Sequence, residues 1–225
     1  MPMKGGGTAT DWRPIDQWDG GAGWIAYPDE AMQRASHVLE TEAGTYLVDP
    51  VDCDGLDDFL ADRGPVAGTV VLLNRHKRDA AAIARRHDAS VHVPSFMTDV
   101  PGDLDAPVER FDERLESTEY RLDTVIDNAL WKEALLHGEE SKTLVLAEAL
   151  GTTSYFRTAG ERVGVHPALR LTPPRSLRGY DADRLLVGHG EGVFEDVNAA
   201  VNDAVDGARK RTPSLYAKNA RELLF

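Results

Sequence analysis

The chain has 225 residues, 42% of them hydrophobic and 7% aromatic, the make-up of an ordinary globular protein, which excludes a disordered chain or a peptide-sized scaffold. Its 38 acidic against 25 basic residues leave a net charge of −13, a field that repels phosphate backbones and makes nucleic acid an unexpected partner. The acids are 23 Asp and 15 Glu, the bases 19 Arg and only 6 Lys; this balance is expected of a salt-loving, archaeal source, where hydrated carboxylates coat the surface and salt screens their repulsion.

Residues 1–22 are Gly, Thr, Asp and Trp without period and read as a flexible tail, leaving one domain over residues 23–225. Residues 1–7 lack the apolar core of a signal peptide, and no window approaches the ~18 apolar residues of a membrane helix, so the expected location is the cytoplasm without membrane contact. Residues 37–39 and 45–49 alternate as strands around the turn Glu42-Ala43-Gly44, a hairpin. The single cysteine, Cys53, has no partner for an internal disulfide. Residues 54–63 carry Leu56, Phe59 and Leu60 at helical spacing up to Gly64-Pro65. Residues 69–73 form an apolar, β-branched strand that passes through Asn74-Arg75-His76-Lys77-Arg78 into a helix over residues 79–87. Short strands follow at residues 90–94 and 120–125, on either side of an acidic, Pro/Gly-broken stretch. Residues 142–147 and 185–187 read as buried strands, residues 193–208 as an amphipathic helix, and residues 213–225 as a separate terminal helix. Strands and helices alternate throughout, which makes the fold class α/β with two related halves.

Two clusters stand out. Arg75, His76, Lys77 and Arg78 place four basic-type residues where a strand ends and a helix begins, a position at which open α/β sheets collect anions; a solvated turn paired with surrounding carboxylates is the alternative. His189 lies between Gly188 and Gly190 directly after an apolar strand, on a turn with room for a ligand on either side.

The order of the hairpin ending Tyr46-Leu47-Val48-Asp49-Pro50, the segment Val70 to Ala80, Ala147-Glu148-Ala149-Leu150 and Gly188-His189-Gly190-Glu191 resembles the metallo-β-lactamase fold family over roughly residues 35–205. The resemblance implies a four-layer αββα sandwich and, in most members, hydrolysis at one or two metal ions. The family's ligand motif, T-H-x-H-x-D-H with later His, Asp and His positions, is largely lost. Arg75 and Lys77 stand for its first two His and Ala80 for the last, no His lies near Ala129, and Glu148 replaces the bridging Asp; Asp79 and His189 match.

A guanidinium or ammonium brings charge but no lone pair to a metal cage, so Arg75 and Lys77 are expected to exclude metal, stand in for it opposite Asp79 and Glu148, and leave no cofactor. The leading expectation is a catalytically silent cleft that binds a small anionic molecule through Arg75, His76, Lys77, Asp79, Glu148 and His189, or that has become purely structural. Two others stay open: a hydrolase of another mechanism, with His189 or His76 as base and Glu148 or Glu133 as acid, and a scaffold whose terminal helices carry a partner or a second copy in a two-fold dimer. Trp131 reads as core or cleft wall, Thr172-Pro173-Pro174-Arg175 as a connector or lid, and His37, His87, His92, His137 and His166 as structural or exposed.

Overall fold

The computed structural model describes residues 9–224. Seven strands follow one another across the first sheet: β1 (Arg13–Trp18), β2 (Gly21–Ile25), β3 (Ala35–Thr41), β4 (Gly44–Val48), β5 (Val66–Val70), β6 (Ser90–Pro94) and β7 (Val108–Phe111). Strands β1 to β4 pair antiparallel, and β4 to β7 pair parallel. The second sheet runs β8 (Tyr120–Asp127), β9 (Lys132–Gly138), β10 (Thr143–Leu146) and then β13 (Arg184–Val187), with β10 and β13 parallel. Between β10 and β13 in the chain comes a two-stranded ladder of β11 (Leu150–Gly151) and β12 (Gly164–Val165).

Three apolar clusters set the layering. Leu39, Tyr46, Val70 and Val91 of the first sheet interlock with Leu122, Ala134, Leu136, Val145 and Leu186 of the second. Helices α1 (Leu56–Leu60) and α2 (Ala80–Arg86) supply Leu56, Leu60 and Ile83 to a cluster with Trp24, Val38 and Leu47 on the outer face of the first sheet. Helix α3 (Val197–Leu224) lays Val197, Val201, Ala204, Val205 and Ala208 against Leu135, Leu144, Leu146 and Val187 of the second. The alternation of side chains along each strand therefore separates an inner from an outer face, and the result is the expected αββα sandwich.

The structure corrects the sequence expectation in four places. Part of the presumed tail, residues 1–8, lies outside the described residues, but Arg13–Trp18 is strand β1, paired with β2 and bulged between Ile15 and Trp18. Strand β9 was not anticipated, nor was β7 inside the acidic stretch. The two terminal helices are one, α3, which runs through Pro213. After β5 the apolar run goes on to the other sheet: Ala134 N–H donates to Leu72 O, Asn74 N–H donates to Lys132 O, and Leu73 bridges Glu133.

Candidate functional site

The crossing at residues 71–74 suspends the Arg75–Arg78 turn at the carboxyl ends of the parallel strands. Asp49 follows β4 there, Ala147-Glu148 follows β10, and Gly188-His189 follows β13. Asp49 adopts φ 44 and Arg78 φ 43, unusual for residues with a Cβ and held here by their hydrogen bonds. Asp49 N–H donates to Val70 O, and its Oδ1 accepts from Leu72 N–H at 2.9 Å.

His76 and His189 meet at the centre. His76 Nδ1 lies 3.0 Å from Asp49 Oδ2, and His189 Nδ1 lies 2.9 Å from Met32 O. Each contact takes a proton from the ring, so in its neutral form each imidazole carries that proton on Nδ1 and presents a lone pair on Nε2. The two Nε2 atoms are 3.3 Å apart, and Glu148 Oε1 is 3.8 Å from His189 Nε2. The ligand atoms of His76, Glu148 and His189 all fall within 4.8 Å of one another. Four ligands about 2.0–2.1 Å from a zinc ion are spaced about 3.3 Å apart, so this set has the scale of a metal shell, and its outer hydrogen bonds are of the kind that orient ligating imidazoles.

The basic quartet divides. Arg75 Nη2 donates to Glu148 Oε2 at 2.7 Å, and its guanidinium lies 4.2 Å from the centre of the Trp131 ring; it occupies the carboxylate oxygen turned away from the histidines. Lys77, expected to offset Glu148, instead pairs with Asp103 at 2.6 Å at the surface. Asp79 also stays out of the site: it precedes α2 and accepts from Asp52 N–H at 2.9 Å. Lys77 therefore takes no part in filling a metal cage, and Arg75 does not stand among the three donors. Arg78, grouped by the sequence with its three neighbours but given no separate role, is the cation of the four that turns inward. Its guanidinium donates to Ala35 O (2.5 Å), Asp49 O (2.7 Å) and Gly188 O (3.0 Å), which joins β3, β4 and the end of β13.

Two further side chains close the site. His166, counted as scattered, lies 3.7 Å from Glu148 Oε1 through Nε2, while its Nδ1 accepts from Ala168 N–H, so its proton sits on Nε2 facing the carboxylate. Its ring packs edge-on against Trp131 and Phe156. Nothing in the spacing marks it, because it reaches the site on the 152–170 loop. Glu133 lies behind: one oxygen accepts from Glu148 and Ala149 N–H, the other from Trp131 Nε1–H. Trp131 is thus a core residue that also backs the site beside Arg75. The 172–175 segment sits elsewhere, held by Arg209 to Leu171 O and followed by Leu177 in the α3 core.

The electrostatics follow from burial. It pushes the His189 pKa well down, helped by the charges of His76 and Arg78, and it takes His166 to about 4. Both rings are neutral at pH 7. Burial raises Asp49 to about 6 against the opposing pull of Arg78, and raises Glu133 to about 7. Burial pushes Glu148 up as well, but His76, His166 and Arg75 outweigh it, and the net shift is downward. Glu148 is the fixed anion of the site.

Comparison with protein-family models gives no match, and neither does comparison with curated proteins. Solved structures do match. DIM-1 metallo-β-lactamase superposes with a TM-score of 0.63 at 12% identity, over 90% of this chain and 100% of its own. The FIM-1 metallo-β-lactamase from Pseudomonas aeruginosa, in a mono-zinc form, gives 0.58 at 12% identity over 90% and 98%. A fragment described as diflavin flavoprotein A 5 from Nostoc sp. PCC 7120 gives 0.64 at 12% identity over 92% and 100%. The chain has the metallo-β-lactamase fold.

Proposed function

We propose that this chain is a metallo-β-lactamase-fold protein with a reduced centre, in which one divalent metal ion is held by His76, Glu148 and His189 and a small anionic ligand is drawn in by Arg75. The carrying observation is the convergence of two Nε2 lone pairs, 3.3 Å apart, on the free oxygen of Glu148, with each ring's Nδ1 tied down behind it. When bound, such an ion supplies a Lewis acid. The residues do the rest. Asp49 and Met32 hold the imidazoles in register, Arg75 sets one end of Glu148 and offers its remaining N–H groups to an anion, Trp131 and Phe156 exclude water, and His166 presents an N–H toward the carboxylate. The buried Arg78 cation beside the centre disfavours a second dication, so hydrolysis of the two-metal kind is not part of this reading. FIM-1, of the same fold, is known in a mono-zinc form.

A second reading has its own observation. The 3.3 Å separation also suits one N–H···N hydrogen bond, with His76 as an imidazolium between Asp49 and His189; the cleft is then metal-free and silent, binding an anion through Arg75. Zinc titration of the chelator-treated chain by calorimetry separates the two. On the metal reading, Glu148→Gln with His189→Gln binds about one equivalent less than the wild type. Equal zinc uptake by both proteins sinks it, and sulfate quenching of Trp131 fluorescence that survives chelation but is lost in Arg75→Ala then supports the silent cleft.

A further inference from the structure

We propose a second divalent-cation site, of zinc type, formed by His92, Glu109 and Glu116 at the outer edge of the first sheet, where it ties strand β7 and the following 112–119 loop to β6. It stands apart from the cleft and does not depend on the reading given above.

The backbone brings the first two ligands together. His92 on β6 and Glu109 on β7 are register partners in a parallel pair, so their side chains rise from the same face. Glu116 comes over them from the loop, and the ligand atoms of the three residues lie within 4.8 Å of one another. His92 provides an independent sign. Its side chain is 4% exposed, and Nδ1 is aimed at Glu116 Oε1 at 3.5 Å without a hydrogen-bond partner. A buried ring nitrogen that makes no hydrogen bond is a standing cost that a metal–nitrogen bond removes. The ring is fixed in this pose by edge-on contacts with Tyr46, at 5.4 Å, and Phe111, at 6.5 Å. Gly68 makes room for it, since a Cβ there would collide with the imidazole.

The carboxyl pair points the same way. The ligand oxygens of Glu109 and Glu116 lie within 4.8 Å of each other, close enough for two carboxylates to repel, and a divalent cation between them turns that repulsion into two attractions. Ser90 Oγ donates to Glu109 Oε1 at 2.9 Å, an outer contact that orients the carboxylate. One nitrogen and two carboxylates suit zinc, cobalt or manganese better than a soft-metal site. The role is mechanical: β7 is the last strand of its sheet, and a cation there joins strand, loop and neighbour at one point.

The test is calorimetric zinc titration of the full chain after chelator treatment, comparing the wild type with Glu109→Gln plus Glu116→Gln, both at exposed positions. The double variant is expected to take up about one equivalent less zinc and to lose part of the zinc-dependent rise in melting temperature, and His92→Gln to lose the same equivalent. Equal uptake by wild type and double variant overturns the proposal. Repeating the subtraction in a His189→Gln background keeps the two sites distinguishable: the difference persists there whether or not the cleft binds metal.

Discussion

Arg78 spends its guanidinium on three main-chain carbonyls from three segments, Ala35, Asp49 and Gly188. Arg78→Met preserves the bulk of the stem but strands those acceptors and removes the cation facing Asp49; the expected loss is about 3–5 kcal/mol, read as a fall in the urea midpoint with the slope unchanged. A midpoint within experimental error of the wild type would show that the carbonyls find other donors. His37 carries a pH dependence. It is wholly enclosed, with Nε2 3.0 Å from Val187 O, and burial lowers its pKa to about 4. The unfolded chain protonates this imidazole near 6.5, so between those values the folded form binds fewer protons. Stability from this group is intact above about pH 6.5 and falls as pH drops toward 4, by at most about 3 kcal/mol. His37→Gln should flatten that part of a stability-versus-pH curve measured by urea unfolding; an unchanged slope would place the acid sensitivity elsewhere. At this scale the sequence was partly legible. The pattern drew attention to Arg75-His76-Lys77-Arg78, but which of the four turns inward depends on the backbone at Arg78, and His166 arrives from a loop whose course no spacing predicts.

Elements were easier to read where hydrophobic period and turn residues agreed. The β3–β4 hairpin, β6 and β13 fall where the alternation and the Gly/Pro punctuation put them. Lys132–Gly138 escaped because Lys, Glu, Ala and Leu favour helix locally, whereas pairing on both sides, with β8 and β10, makes it a central strand. Pro213 misled in the other direction. It removes one helix hydrogen bond, but α3 continues because its face is packed before the proline through Ala208 and after it through Leu215. The join of β10 and β13 gives a prediction for an element. Gly188 passes so close to Ala147 O that a Cβ would collide with that carbonyl. Gly188→Ala should cost about 2–4 kcal/mol and weaken zinc uptake at the cleft by displacing His189, measured by thermal unfolding and calorimetry; a neutral substitution would mean that the turn can shift without moving the imidazole.

For the whole molecule, the net charge of −13 means that self-repulsion opposes the folded state at low ionic strength. Its melting temperature is expected to rise from about 0.05 M to about 1 M potassium chloride as screening shortens to a few ångströms; a fall would show that the surface ion pairs outweigh the repulsion. The second half of α3 straps the 152–170 loop. Tyr216 donates to Pro167 O, Asn219 to Tyr155 O, and Lys218 to Arg157 O, while Arg211 and Arg170 share the buried Glu161. Ending the chain before Pro213 should raise amide exchange in that loop by about tenfold or more and leave β5 and β10 protected; equal protection would show that the loop stands alone.

The groups that build the cleft come from opposite ends of the chain: His37 contacts Val187 across 150 residues, His189 contacts Met32 across 157 and His76 across 113. Closing loops of that length is entropically costly and slow relative to forming the β3–β4 hairpin. The cleft is therefore a late product of folding. While the chain is being synthesised, the first sheet can pair well before Gly188 and His189 have left the ribosome, and through that interval Arg78 and His76 wait without their contacts to Gly188 and His189.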